Sequence, residues 1–325
     1  MTLHEINVDE YLLEKQMRGK HFLTLADFNS YEIEYLLKVA SQLKRKQQLN
    51  IPHEYLKGKT LGMIFEKSST RTRLSFEIGM LKLGGHASFL SSNDLQIGRG
   101  ESISDTAKVL SRYLDGVMIR TYSHETIEEF AEASSIPVIN GLTDSHHPAQ
   151  VLADLLTIKE HKGQLKGLKL CYVGDGNNNM THSLLEGAAK TGMNMTVSSP
   201  EGYEPDKGIY EKAKDLAERQ GCSFHFTYEP EEAAEDADVI VTDVWASMGE
   251  EHEQEERVKK LTPYQVNESL CDKAKDDFLF LHCLPAHRGE EVTAEIIDGK
   301  HSVVFDEAEN RLHAQKALLK VLMGD

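Results

Sequence analysis

Short apolar runs alternate along this chain with longer stretches whose apolar positions recur at helical spacing. The runs Thr60–Phe65, Ala87–Leu90, Gly116–Ile119 and Ile136–Ile139 form one series. Leu168–Val173, Met193–Val197, Ser223–Phe226, Val239–Val244, Phe278–His282 and Ser302–Phe305 form a second. Their length and bounding turn residues predict strands. Between them, Ile103, Ala107, Leu110 and Leu114 keep helical spacing, as do Leu152, Leu155 and Leu156, with Lys159 at the wet edge. Strands alternating with helices predict parallel sheets with helical crossovers, the α/β class. Two series predict two α/β domains. The boundary is expected at the helix that Pro148 starts, because proline suits a first helical turn. The segment Asp306–Met323 carries the stripe Ala308, Leu312, Leu319 and Leu322 and predicts a terminal helix. The acidic run Glu250–Glu256 reads as a solvated loop face. No internal repeat or low-complexity tract interrupts this plan.

Composition narrows the function. The 325 residues suit about two domains, and 40% apolar with 27% charged residues suits packed cores. The 53 acidic against 36 basic residues give a net charge of −17. That balance argues against a broad nucleic-acid or anionic-membrane surface, but leaves room for a small anion pocket set by local geometry. The N-terminus MTLHEINVDEYLLEKQ shows neither a basic nor an apolar signal region, and no run approaches the roughly 18 apolar residues of a membrane helix. Cys171, Cys222, Cys271 and Cys283 form no CxxC pair, so a reducing cytoplasm is the expected compartment.

Against that acidic background, "EKSSTRTR" (Glu66–Arg73) gathers hydroxyls and guanidiniums directly after the run Leu61–Phe65. A strand, then Ser68-Ser69-Thr70, then a helix would place hydroxyls and unpaired N–H groups at a helix N-terminus, where the dipole favours anions. Arg71 and Arg73 add donors suited to phosphate oxygens. Ordinary capping by Ser69 or Thr70 explains the same pattern, and both readings stand. Two other phosphate motifs fail. Gly58-Lys59-Thr60 precedes its strand, and His53 occupies the place of the P-loop's first glycine. Gly174-Asp175-Gly176 lacks the third glycine of a dinucleotide fingerprint, since position 179 is Asn179.

Other chemistry-bearing segments also follow predicted strands, where open α/β sheets bind ligands. "NGLTDSHHPAQ" (Asn140–Gln150) puts His147 and Gln150 three apart across a helix start; a polar turn is the alternative. Arg120 ends the run Gly116–Ile119 and is by itself an ordinary surface arginine. "DVWASMGEE" (Asp243–Glu251) offers an acid suited to an amine, or simply an acidic loop. "LHCLPAHRG" (Leu281–Gly289) contains His282, Cys283 and His287; the spacing fits no standard zinc pattern, so no metal is expected. A Cys–His hydrolase pair remains open on these residues alone.

Taken together, "STRTR" (Ser69–Arg73), "HPAQ" (His147–Gln150), "DVWASMG" and "HCLP" resemble the aspartate/ornithine carbamoyltransferase family, in order from Phe65 to Arg311. The last two motifs resemble its ornithine branch. The resemblance implies two doubly wound parallel-sheet domains joined by helices: 1–147 for carbamoyl phosphate and 148–305 for ornithine, with a C-terminal helix 306–325 packing back on the first. It implies transfer of a carbamoyl group from carbamoyl phosphate to the δ-amine of ornithine, giving citrulline and phosphate, in arginine metabolism. It also implies a homo-oligomer, expected as a trimer with shared sites, and no cofactor. Carried over residue by residue, Ser69, Thr70, Arg71 and Thr72 hold the phosphate. Arg120, His147 and Gln150 hold the carbamoyl end, and Arg311 is a further site arginine. Gln96, in "DLQIGRGES", reaches a neighbouring subunit's carbamoyl phosphate; many relatives carry a lysine in that loop, where the nearest residues here are Arg99 and Gly100. Asn179, Asp243, Ser247 and Met248 hold ornithine, with Asn178 the neighbouring candidate for the asparagine. Cys283 and Leu284 contact both substrates, and Arg120, His147, Asp243 and Cys283 are the expected catalytic residues. The rival readings are another amine acceptor such as putrescine, and a non-catalytic relative that binds or regulates.

Overall fold

The computed structural model describes residues 8–91, 95, 100–246 and 254–324. Two compact units divide the chain: Met1–Leu152 with Arg311–Asp325, and Ala153–Asn310. The first contains α1 (Val8–Met17), α2 (Ser30–Gln48), β1 (Thr60–Phe65), α3 (Thr70–Lys82), β2 (His86–Ser91), α4 (Ile103–Leu110), β3 (Gly116–Arg120), α5 (His124–Ala133), β4 (Val138–Leu142) and the start of α6 (Pro148–Lys162). The second holds the rest of α6, then β5 (Lys169–Val173), α7 (Asn179–Thr191), β6 (Asn194–Ser198), α8 (Lys207–Gln220), β7 (Phe224–Thr227), α9 (Pro230–Ala234) and β8 (Val239–Thr242). It continues with α10 (Gln254–Leu261), α11 (Glu268–Cys271), β9 (Leu279–His282), α12 (Ala294–Ile297) and the first turns of α13 (Val304–Met323), whose remainder belongs to the first unit.

Both sheets are parallel, as the alternation of strands and helices implies. The first runs β2-β1-β3-β4, with Leu61 opposite Gly116 and Val117 opposite Val138. The second runs β7-β6-β5-β8-β9, with Leu170 opposite Val239. In each, the strand order reverses once, between β1 and β3 and between β5 and β8. At such a point the flanking loops leave the carboxyl ends in opposite directions and open a crevice. Central strands are buried from end to end, as β3 (Gly116–Arg120) and β8 are, because helices cover both faces.

Four sequence expectations shift. Leu114 lies beyond α4, which ends at Leu110; Asp115 takes the chain into the sheet by exchanging hydrogen bonds with Thr60, at 2.9 and 2.8 Å. β4 starts at Val138 and runs through buried Asn140, whose amide donates to the Leu23 carbonyl at 2.9 Å, which offsets part of the cost of burying a polar residue in the sheet. Ser302–Phe305 is no strand: Ser302 makes one bridge to Phe280, and Val304 already begins α13. The acidic run Glu250–Glu256 falls partly outside the described residues, and α10 starts within it.

The Gly174-Asp175-Gly176 turn has its own reasons for glycine. Gly174 has φ +137°, which L side chains rarely adopt. A Cβ on Gly176 would lie 2.7 Å from both Ser199 Oγ and the Tyr203 carbonyl.

α13 returns within the first unit on a buried face that includes Ala317, Leu318 and Leu322. Lys316 is buried there too. Its Nζ donates to Gln47 Oε1 at 2.8 Å and lies 3.5 Å from the Leu43 carbonyl and from His53 Nε2. Burial, with Lys82 nearby, lowers its pKa from 10.5 to about 8. The unfolded chain keeps this proton up to 10.5 while the folded chain releases it near 8, so stability from this site rises with pH across that window, by up to about 1.4 kcal/mol per unit. Urea denaturation of wild type and Lys316→Met at pH 7, 9 and 10.5 measures it. Wild type gains on the variant as pH rises; a constant difference contradicts the assignment.

Candidate active site

In the first unit the candidate residues gather at the carboxyl ends of β1, β3 and β4. Ser69 is the N-cap of α3: its Oγ accepts from the Thr72 N–H at 3.2 Å and donates to Thr72 Oγ1 at 3.0 Å. The capping and anion readings therefore coexist, because one cap leaves other N–H groups of the first turn facing outward. Thr72 Oγ1 also accepts from Arg311 Nη2 at 2.8 Å, which ties α13 to the start of α3. Arg73 packs toward β2. Its guanidinium lies 4.1 Å from the Phe89 ring centroid and 3.6 Å from Glu77, and it lines a cavity of about 360 Å³ with Ser68, Ser69, Thr70 and Ser91.

Arg120 closes β3, and its carbonyl accepts the Glu66 N–H at 2.8 Å, linking that strand end to the loop after β1. A tight turn after β4 delivers His147. Thr143 accepts the His146 N–H through Oγ1 at 3.1 Å, and its own N–H donates to the His146 carbonyl at 2.9 Å. The His147 carbonyl then accepts from Gln150 and Val151 as α6 begins at Pro148. Arg120, His147, Gln150 and Arg311 are all buried.

Electrostatics couples this group. Burial lowers the His147 pKa well below 6.5, and Arg311, Arg120 and Arg71 each push it further down. Three guanidiniums therefore lie near enough to one neutral imidazole to act on it. Such a site offers permanent positive charge for an anion, and an uncharged ring able to donate one hydrogen bond and accept another.

The second unit gathers its candidates at β5, β8 and β9. Asp243 follows β8 and Cys283 follows β9; the Cys283 thiol donates to Asp243 Oδ1 at 3.1 Å, and the Val244 N–H donates to the same oxygen at 2.8 Å. Burial raises the pKa of both groups, and for Cys283 the neighbouring Asp243 carboxylate raises it well above 9. A thiol held protonated beside an acid is the reverse of an activated nucleophile. His282 is also engaged. Its Nδ1 accepts the Leu284 N–H at 2.9 Å, which leaves Nε2 to donate to buried Glu291 at 3.1 Å. Glu291 also accepts the His287 N–H at 2.6 Å. The Cys–His hydrolase reading fails on both counts. Asp243, His282 and Cys283 approach one another closely enough to hold a metal, but a ligand role for His282 would break its bonds to Leu284 or Glu291. The His282–Glu291 brace supports Leu284, which has φ +57°, unusual for a branched side chain, and precedes the cis bond to Pro285.

Asn178 is spent on structure. Its Oδ1 caps α7 by accepting the Thr181 N–H at 2.8 Å, and its Nδ2 donates to Tyr172 Oη at 2.8 Å and to the Asp175 carbonyl at 2.9 Å. Asn179, half-buried, is the first residue of α7. Trp245 is buried rather than part of an acidic loop surface. Gln96, Arg99, Ser247 and Met248 lie outside the described residues. Sequence reasoning passed over Glu291 and the Arg311–Thr72 bond; neither spacing nor residue type signals a bond across 239 positions.

With its pKa depressed, His147 stays unprotonated when folded but takes a proton near 6.5 when unfolded. The stability it contributes is present above pH 6.5 and is lost as pH falls below it. Denaturation at pH 7.5 and pH 5 should show wild type losing more stability than His147→Asn, by up to about 1.4 kcal/mol per pH unit. Equal losses contradict a neutral, surrounded His147.

The chain is similar to known proteins along most of its length. The profile described as "Aspartate/ornithine carbamoyltransferase, carbamoyl-P binding domain" matches residues 20–160, and "Aspartate/ornithine carbamoyltransferase, Asp/Orn binding domain" matches residues 166–322. The chain is 62% identical over 312 residues to the ornithine carbamoyltransferase of Oceanobacillus iheyensis, covering 96% of this chain and 97% of that one. It is 57% identical over 310 residues to that of Bacillus subtilis, covering 95% and 96%. Among solved structures it is similar to ornithine carbamoyltransferase from Pyrococcus furiosus, with TM-score 0.92, 53% identity and coverage of 94% and 98%.

Proposed function

The chain belongs to the aspartate/ornithine carbamoyltransferase family, and from that premise we propose that it transfers the carbamoyl group of carbamoyl phosphate to the δ-amine of L-ornithine, giving L-citrulline and phosphate. The observation that carries this reading is the group of three arginines around neutral His147 at the start of α3 and α6.

In this reading the phosphate lies against the N-terminus of α3, held by Ser69, Thr70, Arg71 and Thr72. Arg120, His147 and Gln150 take the carbamoyl end, with Arg311 behind Thr72. Arg71, Thr72, Arg120 and His147 stabilise the oxyanion as the amine adds to the carbonyl carbon; the C–O bond to phosphate then breaks, and phosphate leaves with its charge already compensated. A charged imidazolium would add a fourth cation; a neutral one donates a hydrogen bond and leaves the arginines to match the anion.

The amine must arrive neutral, because ammonium has no lone pair to attack with. Asp243 binds it and, with its pKa raised by burial, is suited to take the departing proton. Cys283 orients Asp243 through its thiol and forms no covalent bond to substrate. Asn179 holds the other end of ornithine, since the Asn178 amide is committed to the α7 cap. Ser247, Met248 and Leu284 complete the acceptor side in this proposal. The chemistry requires no metal or cofactor.

The proposed assembly is a homotrimer, to which Gln96 contributes across subunits. Exposed Leu74 and Leu81 on α3 and exposed Phe89 on the edge strand β2 favour self-association. A cytoplasmic place in arginine biosynthesis fits the four free thiols.

Purified protein with carbamoyl phosphate should form citrulline from ornithine at a rate far above that with putrescine. Arg71→Ala should lose carbamoyl-phosphate binding while keeping its fold by circular dichroism. Absence of citrulline at every neutral or alkaline pH contradicts the reading, and equal rates for the two amines contradict the acceptor. Light scattering should give three times the 36.5 kDa chain mass.

A further inference from the structure

Asp175 and Arg257 have no part in the chemistry above, yet they form an ion pair inside the second unit, with side chains only 6% and 10% exposed. Arg257 Nη2 donates to Asp175 Oδ2, and Arg257 Nε donates to the Trp245 carbonyl at 2.5 Å. The guanidinium lies 5.2 Å from the Tyr203 ring centroid. Asp175 in turn organises the turn after β5. Its Oδ1 accepts the Asn177 N–H at 2.9 Å, and its carbonyl accepts from Asn178 Nδ2 at 2.9 Å and Thr181 Oγ1 at 3.3 Å.

One guanidinium therefore joins two strand ends. Trp245 stands two residues past Asp243, and Asp175 four before Asn179. β5 and β8 are the neighbours at which this sheet reverses its order. Desolvating a charged pair is costly, and apolar residues of similar size often serve stability as well. What apolar residues cannot reproduce is a planar donor fork fixed at once to a carboxylate and a carbonyl. Resting on the proposed ornithine reading, we propose that Arg257 and Asp175 are positioning residues for the acceptor side: they fix the spacing between Asn179 and Asp243, and so act on ornithine and not on carbamoyl phosphate.

Steady-state kinetics of full-length Arg257→Lys, and of the double variant Asp175→Asn with Arg257→Met, tests this. The lysine keeps the charge facing Asp175 but cannot bridge to the Trp245 carbonyl in the same geometry. The double variant removes both charges, so neither is left buried alone, and its melting temperature should stay near wild type. Both should raise the KM for ornithine by roughly ten-fold or more, as expected for misplaced binding groups, with the KM for carbamoyl phosphate within about two-fold. An ornithine KM near wild type in the stable double variant overturns the proposal, because the pair is then only structural. So does a parallel rise in both KM values. Wild type assayed alongside separates the two readings: if it makes citrulline and the variants bind ornithine normally, only the positioning role fails. If wild type makes none, the functional reading fails and takes this one with it.

Discussion

Three guanidiniums held around one uncharged imidazole set the terms for the rest of this molecule. Arg71, Arg120 and Arg311 come from α3, β3 and α13, and each disfavours a charge on His147. Fixed cations near one another repel, so the fold must hold them there. Sheet order supplies one part, by placing the ends of β1 and β3 side by side. The return of α13 supplies another, since Arg311 reaches Thr72 only from that helix. The cost of gathering the charge is met by the fold in advance, which leaves the site complementary to an anion before any anion arrives. A chain with a net charge of −17 thus carries a concentrated positive site.

The second unit repeats the topological device with opposite chemistry. Its sheet also reverses order beside its candidate residues, but there the groups are an acid and a thiol, both raised in pKa by burial. In the proposed reading the contrast follows from what each substrate needs. Carbamoyl phosphate is anionic and calls for cations. A cationic amine calls for an acid, and it must then give up a proton to become a nucleophile. The Cys283–Asp243 bond and the His282–Glu291 brace both serve geometry: they fix the direction of a carboxylate and the course of the strained Leu284 backbone.

Much of this was legible in the chain. Alternating strand and helix patterns predicted both parallel sheets, because buried central strands leave unbroken apolar runs. Ser69 and Pro148 marked helix starts through chemistry that acts locally. What the sequence misjudged depends on tertiary partners. Asn140 interrupts the apolar pattern of β4, and only its bond to Leu23 makes it tolerable in a strand. Ser302–Phe305 has strand composition, yet the chain needs one bridge there before turning into α13. Asn178 and Asn179 look alike in sequence; the bonds to Tyr172, Asp175 and Thr181 tell them apart. His282 and Cys283 left a hydrolase pair open until their hydrogen bonds fixed which nitrogen carries the proton. Arg257 gave no signal at all, being one charge among many on a polar helix.

The positive site is built before any ligand binds. Calorimetric titration of phosphonoacetamide, a stable carbamoyl phosphate analogue, into the protein without ornithine tests it directly. One analogue should bind per chain with no acceptor present, with an affinity that weakens as ionic strength rises. No binding until ornithine is added, or binding indifferent to salt, would contradict a preformed cationic site.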